Sequence, residues 1–175
     1  MHSISLRPAT LSDTLAVAKL GAKVYAATFG HSVTKEQMNR YLEESYSIEA
    51  TEGEITSKQK DMVVATDGEG GAIVGFALLT RGSTEPCIER FQDTVELQRI
   101  YVDTEAHGRG IGKRLILKVE EMAREQGFRH VWLGVWEHNL KARKVYEGLG
   151  YAYVGYHDFD LGGDIQKDDI LIKTL

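Results

Sequence analysis

The sequence contains little of several features that would point to a particular class of protein. It has one cysteine, Cys87, so an internal disulfide is excluded and a reducing, cytoplasmic environment is expected. It has no apolar run long enough to cross a membrane, and its N-terminus lacks the charged start and apolar block of a secretion signal. Its net charge is −5, which argues against nucleic acid as the main partner and is compatible with a cationic ligand.

The composition that is present is typical of one globular α/β domain. The chain has 175 residues, of which 42% are hydrophobic, enough for one core and little more. We interpret residues 1–175 as a single domain, because the sequence shows no repeat, linker or low-complexity segment.

Apolar spacing and turn residues predict alternating strands and helices. The expected elements are a strand over Ser3 to Arg7, a helix capped by Ser12 or Asp13, a helix capped by Thr34 with Gln37, a helix over Ile48 to Lys58, a hairpin of Met62 to Ala65 with Ala72 to Arg81, a strand after Asp93, a helix ended by Gly127, a strand over His130 to Trp136, a helix over Leu140 to Leu149, and a hairpin of Tyr151 to Leu161 with Asp169 to Leu175 through Gly162-Gly163. The apolar residues at helical spacing in the first helix are Leu11, Leu15, Ala18, Ala22, Tyr25 and Phe29.

The most informative stretch runs from Glu96 to Lys118, where an apolar strand leads into a glycine-rich turn that opens a helix. Such a turn presents backbone N–H groups at the positive end of the helix dipole. The turn therefore predicts a phosphate site, with Arg109, Lys113 and Arg114 adding positive charge.

Three phosphate-binding motifs compete for this turn. A Walker A loop fails because His107 and Arg114 stand where the first glycine and the hydroxyl residue belong. A dinucleotide fingerprint is weak, since Lys113 occupies the place of the third glycine and the strand is not the first of the chain. The third pattern, Q/R-x-x-G-x-G/A, is met by Gly110 and Gly112, with His107 in place of Gln or Arg.

A second segment supports the third pattern. Asn139 to Tyr151 matches N-x-x-A-x-x-x-Y/F-x-x-x-G-F/Y, and the two segments occur in order along most of the chain. On these motifs the chain resembles the GNAT superfamily of acetyl-CoA-dependent N-acetyltransferases. Trp132 to Glu137 and Asp169 to Leu175 are similar to the PaiA-type spermidine/spermine N-acetyltransferases within it.

The resemblance implies a mixed, mostly antiparallel central sheet of about six to seven strands, with a splayed central strand pair and flanking helices. It implies acetyl-CoA as co-substrate, no metal site, and an amine acceptor as partner, and a homodimer is compatible with it. The residues that it assigns to the co-substrate are Ile100, Tyr101, Val102, His107, Gly108, Arg109, Gly110, Ile111, Gly112, Lys113, Asn139, Ala142 and Tyr146.

The central strand changes its apolar phase. Leu97 is apolar at an odd position, whereas Ile100 and Val102 are apolar at even ones, so a β-bulge near Gln98-Arg99 is one interpretation. A strand buried on both faces explains the same pattern. The resemblance implies a bulge, with Ile100 and Val102 offering backbone groups to the pantetheine arm.

Acetyl transfer to an amine requires removal of a proton, because a free alkylamine has a pKa of roughly 10 and arrives charged. Glu96, at the start of the central strand, is the candidate base. The alternative is a solvated charge or a partner of Arg99, and the sequence leaves both open.

Tyr146 stands two helical turns after Asn139 and matches the general-acid tyrosine of the resembled family, which protonates the leaving thiolate. The alternative for Tyr146 is a core aromatic on the face of Ala142 and Leu149. Asn139 is predicted to cap the helix and, by resemblance, also to bind the pantetheine arm.

The predicted acceptor residues come from two places. Tyr25, Phe29 and His31 lie at the first helix-helix turn, which walls the acceptor cleft in the resembled family. Trp136 and Glu137 lie at the open end of their strand, whereas Trp132 is expected in the core.

These observations predict an N-acetyltransferase that acts on a small cationic amine such as spermidine or spermine by direct transfer. Cys87 lies outside the matched segments, which argues against an acyl-cysteine intermediate. Two alternatives stay open: an enzyme that acetylates a protein N-terminus or lysine, and a non-catalytic acyl-CoA-binding module.

Overall fold

The computed structural model describes residues 3–160 and 163–175, and within these ranges the chain forms seven strands and five α-helices. They are β1 (Ile4–Pro8), α1 (Thr14–Phe29), α2 (Lys35–Tyr46), α3 (Ile48–Thr56), β2 (Lys60–Asp67), β3 (Ile73–Thr80), β4 (Thr94–Val102), α4 (Ile111–Glu125), β5 (His130–Trp136), α5 (Leu140–Gly148), β6 (Ala152–Asp160) and β7 (Ile165–Thr174). The predicted strand end at Leu161 and the predicted turn residue Gly162 lie outside the described residues.

The described strands form one sheet in the order β1-β2-β3-β4-β5-β7-β6. Strand β1 pairs with β2, β5 with β7, and β6 with β7, all antiparallel, whereas β4 and β5 are parallel. A parallel pair needs a crossover, and α4 provides it. The predicted α/β fold, a mixed sheet flanked by helices, is confirmed.

The chain divides into two compact units. The first runs up to Leu78 and includes Arg99–Ile116, and the second comprises Leu79–Gln98 and the chain from Leu117 onward. Strands β3 and β4 and helix α4 contribute residues to both. That the whole chain acts as one domain stays a prediction.

In the first unit, α1 packs on β2 and β3 through a buried apolar stripe. The side chains of this cluster are Val17, Leu20, Val24, Met62, Val64, Phe76 and Leu78. Gly21 lies on the same side of the helix, and a methyl group there would lie 2.5 Å from Cδ1 of Tyr46. A glycine at this position therefore lets the α2 residue Tyr46 pack directly on α1.

The apolar face predicted for α1 is partly wrong. Leu11 and Leu15 are 54% and 50% exposed. The predicted cap is also only partly right. Asp13 precedes α1, but its side chain does not cap the helix. Its carboxylate instead accepts hydrogen bonds from Arg7 at 2.7 and 2.8 Å and from the Thr10 N–H at 2.8 Å. The hydrogen bond from Arg7 lowers the pKa of Asp13 to about 2. The buried face of α1 keeps the predicted Ala18 and Tyr25 but also includes Val17, Leu20 and Val24, so it is rotated away from Leu11 and Leu15.

Most predicted helix ends are confirmed. Thr34 and Gln37 form reciprocal bonds at the start of α2, with the Thr34 N–H donating to Gln37 at 2.8 Å. Gly127, with φ +85°, follows α4 and ends it.

Strand β7 begins at Ile165, four residues before the predicted start at Asp169. The added residues pair with β6, from His157 opposite Asp168 to Asp160 opposite Ile165. The sequence did not predict these residues as a strand, because most of them are polar and apolar and polar residues do not alternate there.

The second unit contains a separate apolar cluster of Ile88, Trp132, Ile170 and Ile172. Trp132 is thereby confirmed as a core residue. On α4, Glu120 is only 1% exposed, and its carboxylate pairs with the Lys173 ammonium of β7 at 2.8 and 2.9 Å. None of the described helices combines the length and apolarity needed to span a membrane.

Candidate active site

The glycine-rich turn of the first unit has the backbone geometry of an anion site. Gly108 and Gly110 have φ of +81° and +72°, values that favour glycine. A Cβ added to either would meet no atom within 4 Å among the described residues. Helix α4 starts at Ile111, so its first N–H groups lack helical acceptors and face the open turn. The turn therefore fits a phosphate group.

Gly112 differs from the other two turn glycines. It lies inside α4, is not among the glycines of positive φ, and a Cβ there would lie 3.8 Å from Val102 Cγ2. The backbone of this turn itself therefore requires glycine at 108 and 110. A requirement at 112 would have to come from close approach of a ligand.

The polar side chains around the turn are only partly available to a ligand. The Arg109 guanidinium binds the carboxylate of Asp67 at 2.7 Å, and His107 Nε2 lies 3.1 Å from the backbone oxygen of Val102. Lys113 and Arg114 are exposed on the first turn of α4. The two helix residues are thus the better-placed cations, whereas Arg109 and His107 brace the loop.

Strands β4 and β5 pair only where they begin. Among the described residues, the register covers Thr94 with His130, Val95 with Val131 and Glu96 with Trp132, although β4 continues to Val102. Glu96 is partly buried at the last of these pairs, and both Ile100 and Val102 are partly exposed. The bulge near Gln98 stays a prediction.

In the second unit, α5 begins as the sequence predicts. The Asn139 side-chain oxygen accepts a hydrogen bond from the Ala142 N–H at 3.3 Å, which confirms Asn139 as the helix cap. Tyr146 is 8% exposed, and its ring packs edge-on against Tyr151 with centroids 5.9 Å apart. This contact is compatible with both interpretations of Tyr146, the core aromatic and the general acid.

The predicted acceptor residues fall in different units. In the first unit, Tyr25 is buried and stacks on Phe29 and Tyr41, with centroids 4.5 and 4.4 Å apart, whereas His31 is exposed. In the second unit, Trp136 is nearly buried and its Nε1–H donates to Gln166 at 2.8 Å.

Glu137 follows the end of β5. Its N–H donates to the backbone oxygen of Lys167 at 3.0 Å, and its carboxylate lies 3.8 Å from His138 Nε2. Among residues 3–160 and 163–175, no three side chains of His, Cys, Asp or Glu cluster as metal ligands.

Sequence reasoning missed a polar network in the first unit. Arg99 of β4 donates to the Tyr46 hydroxyl at 2.6 Å and to the Glu54 carboxylate at 3.1 Å. The hydroxyls of Tyr46 and Tyr101 lie 2.6 Å apart, and burial raises the pKa of Tyr46. A charged residue within an apolar strand was the one available signal, and the partners on α2 and α3 could not be deduced from it.

A second missed group lies on the second unit. Asp168 of β7 stands opposite both Trp136 of β5 and His157 of β6, and His157 Nδ1 lies 3.2 Å from the Glu85 carboxylate. Burial raises the pKa of Asp168 to about 6. No local pattern predicted this group, because its members come from a loop and two polar strand segments.

A mixed sheet whose parallel strands part after three pairs, together with a glycine turn that opens a helix, defines the class of acyltransferases that use acetyl-CoA. The model of the acetyltransferase (GNAT) family matches residues 27–151, and the chain belongs to that family.

Individual relatives agree with this assignment. An uncharacterized N-acetyltransferase in the pepI 3' region of Lactobacillus delbrueckii subsp. lactis is 32% identical over 157 residues, 89% of this chain and 88% of the relative. The uncharacterized N-acetyltransferase YjgM of Escherichia coli K12 is 30% identical over 154 residues, 86% and 83% of the two chains. The crystal structure of the PaiA N-acetyltransferase from Thermoplasma acidophilum in complex with coenzyme A is similar in fold, with a TM-score of 0.78, 22% identity and 99% of both chains covered.

We expect Gly110→Val to weaken acetyl-CoA binding about tenfold or more while the protein stays folded. A β-branched residue at φ +72° is strained by roughly 1–3 kcal/mol, so the turn should rearrange and misdirect its N–H groups. Titration calorimetry with acetyl-CoA measures the effect. Gly127→Val is the matched control, because Gly127 has φ +85° at the other end of α4. Unchanged affinity in Gly110→Val would remove this turn from the binding site.

Proposed function

We propose that this enzyme moves the acetyl group of acetyl-CoA to a primary amine of a small cationic molecule such as spermidine or spermine. The proposal is carried by the turn of Gly108 and Gly110 at the start of α4, together with the pairing of β4 and β5, which stops at Glu96. The turn holds the pyrophosphate, and the backbone of Ile100 and Val102 holds the pantetheine arm. Lys113, with the N–H groups of Ile111 and Gly112, supplies further contacts.

The transfer is direct, with Tyr146 protonating the leaving thiolate and a carboxylate removing the amine proton, the role that the sequence predicts for Glu96. An acyl-cysteine is disfavoured, because burial raises the pKa of the Cys87 thiol and so opposes the thiolate. We place the reaction in the cytoplasm, where a single unpaired cysteine stays reduced. A homodimer stays a prediction.

Two observations support a cationic acceptor: one face of the sheet in the second unit carries two carboxylates, and the fold is similar to that of PaiA. In a pair, backbone partners direct their side chains to the same face of a sheet, and residues two or four apart share that face. Glu96 is paired with Trp132, and Asp168 with Trp136, so both carboxylates lie on the face that carries the two tryptophans. Glu137, the partner predicted for Glu96, lies beyond β5 near His138.

We expect spermidine to be acetylated faster than a monoamine of similar length, and the advantage to shrink as salt approaches 1 M. The Debye length then falls to about 3 Å, which screens a second ammonium from its carboxylate. Steady-state rates for both acceptors at low and high salt measure this.

The same assay separates the alternatives. Equal rates without salt dependence would exclude charge recognition. Acetylation of a peptide N-terminus or lysine in preference to both amines would indicate a protein acetyltransferase. Acetyl-CoA binding without transfer to any amine, detected by mass spectrometry, would indicate a binding module.

A further inference from the structure

The face that carries Glu96 bears a second carboxylate whose surroundings are unusual. Asp168 is partly buried on β7, the strand between β5 and β6. Within the described ranges, no hydrogen-bond donor reaches its carboxylate. Its neighbour Asp169 is bound by Arg143 of α5, and Lys167 lies over the ring of Tyr156. Burial therefore raises the pKa of Asp168, and no hydrogen bond from a described residue offsets that rise.

On the side of β5, the Asp168 carboxylate borders an exposed glycine. Gly134 is exposed and has no side chain, and a methyl group there would lie 3.4 Å from Asp168 Oδ2. Gly134 lies two residues after Trp132, where pairing with β4 has stopped. A ligand nitrogen at Gly134 would therefore reach the Asp168 carboxylate directly.

On the side of β6, two ionisable residues, His157 and Glu85, lie between Asp168 and solvent. His157 is its backbone partner on β6, and such partners have Cβ atoms roughly 5 Å apart. The His157 side chain is 43% exposed and lies 3.2 Å from the Glu85 carboxylate. The charged groups around Asp168 are therefore His157, Glu85 and Asp169, and His157 offers a path for a proton to water.

We infer that Asp168 is the catalytic base of the proposed reaction, and that His157, held by Glu85, carries the proton to solvent. The inference rests on the proposed function and assigns the base within it. Glu96 then binds a second ammonium of the acceptor. The β5 partners of Glu96 and Asp168, Trp132 and Trp136, are four residues apart, which is roughly 13 Å along the strand. An extended polyamine, with several amines on one chain, can occupy both positions.

The acceptor ammonium gives one proton to the Asp168 carboxylate, and the freed lone pair forms the C–N bond at the thioester carbon. The C–S bond breaks, and the sulfur takes the proton of the Tyr146 hydroxyl. The nitrogen's remaining extra proton returns to Tyr146 as the amide forms. The proton on Asp168 leaves through His157, so the products are the amide, the CoA thiol and one proton.

Asp168→Asn tests the inference, because it keeps the shape and removes the base. We expect kcat/KM for spermidine at pH 7 to fall about 100-fold, within the range for a lost general base. The wild-type rate should rise with pH through an inflection near 6, where Asp168 loses its proton, and the variant should lack that inflection. For a weakly basic primary amine, which arrives uncharged, the loss should be much smaller.

Three further variants complete the test. His157→Gln should shift the inflection to higher pH, because the histidine lowers the pKa of Asp168. Glu96→Gln should raise KM for spermidine and keep the inflection. Asp158→Asn, an exposed aspartate next to His157 in sequence, is the control and should behave as wild type. A thermal melt verifies folding of Asp168→Asn, which removes a half-buried charge.

The outcomes are separable. If Asp168→Asn keeps the wild-type kcat/KM for spermidine and the same pH inflection, the inference is wrong and the proposed function still stands. Loss of the inflection in Glu96→Gln instead would assign the base to Glu96. A wild-type protein that acetylates no amine would overturn the proposed function itself.

Discussion

Tyr146→Phe should lower kcat by about two orders of magnitude, because in the proposed reaction the Tyr146 hydroxyl gives the leaving thiolate its proton. The Michaelis constant for acetyl-CoA should hardly change, since the phenylalanine ring can keep the edge-on contact with Tyr151. Single-turnover rates with acetyl-CoA and spermidine measure the chemical step directly. A loss confined to kcat identifies an interaction made in the transition state.

Tyr151→Phe is the matched control. Tyr151 is also buried and forms the other half of the ring pair, so its substitution disturbs the packing to a similar extent. Its turnover should stay within a few-fold of wild type. Equal losses in both variants would return Tyr146 to the interpretation as a core aromatic.

Lys173→Met should destabilise the protein by about 3–5 kcal/mol, because it leaves the buried Glu120 carboxylate without its closest cation. Glu120 is 1% exposed, and a second cation, the Arg124 guanidinium, lies 3.8 Å away and is half exposed. Urea denaturation followed by circular dichroism measures the change in the free energy of unfolding.

Two further variants serve as controls for this result. Lys118→Met removes the exposed ion pair with Glu121 and should cost at most about 1 kcal/mol. The double variant Glu120→Leu/Lys173→Met replaces the buried pair with apolar groups and should recover most of the loss. A Lys173→Met protein as stable as wild type would show that Glu120 is solvated or protonated at the pH of measurement.

Local sequence signals predicted much of the fold. The capping box of Thr34 and Gln37, the cap at Asn139 and the stop at Gly127 act through neighbours a few residues away. The bounds of β5 were predicted to the residue, because its apolar run is flanked by clear turn signals. The glycine turn before α4 was predictable because glycine adopts positive φ more readily than any other residue, and Gly108 and Gly110 do so.

The sequence was ambiguous wherever two local solutions were equally good. Helix α1 has apolar residues around much of its surface. Packing on β2 and β3 buries Val17, Leu20 and Val24, whereas Leu11 and Leu15 stay exposed. Strand β7 begins at Ile165 because β6 supplies hydrogen bonds to residues with no strand pattern of their own.

The candidate site shows the same division between local and long-range causes. By itself the sequence determined that the protein has a glycine turn at the start of α4, a capped α5 that carries Tyr146, and a strand that begins near Glu96. Only the tertiary structure decided that Arg109 is held by Asp67, and that Asp168, His157 and Glu85 meet on one face. Caps and turns depend on neighbours a few residues apart. The contacts named here join residues far apart in the chain: 11 positions separate Asp168 from His157, 42 separate Arg109 from Asp67, and 72 separate His157 from Glu85. Strand register sets such distances, and no local pattern encodes it here.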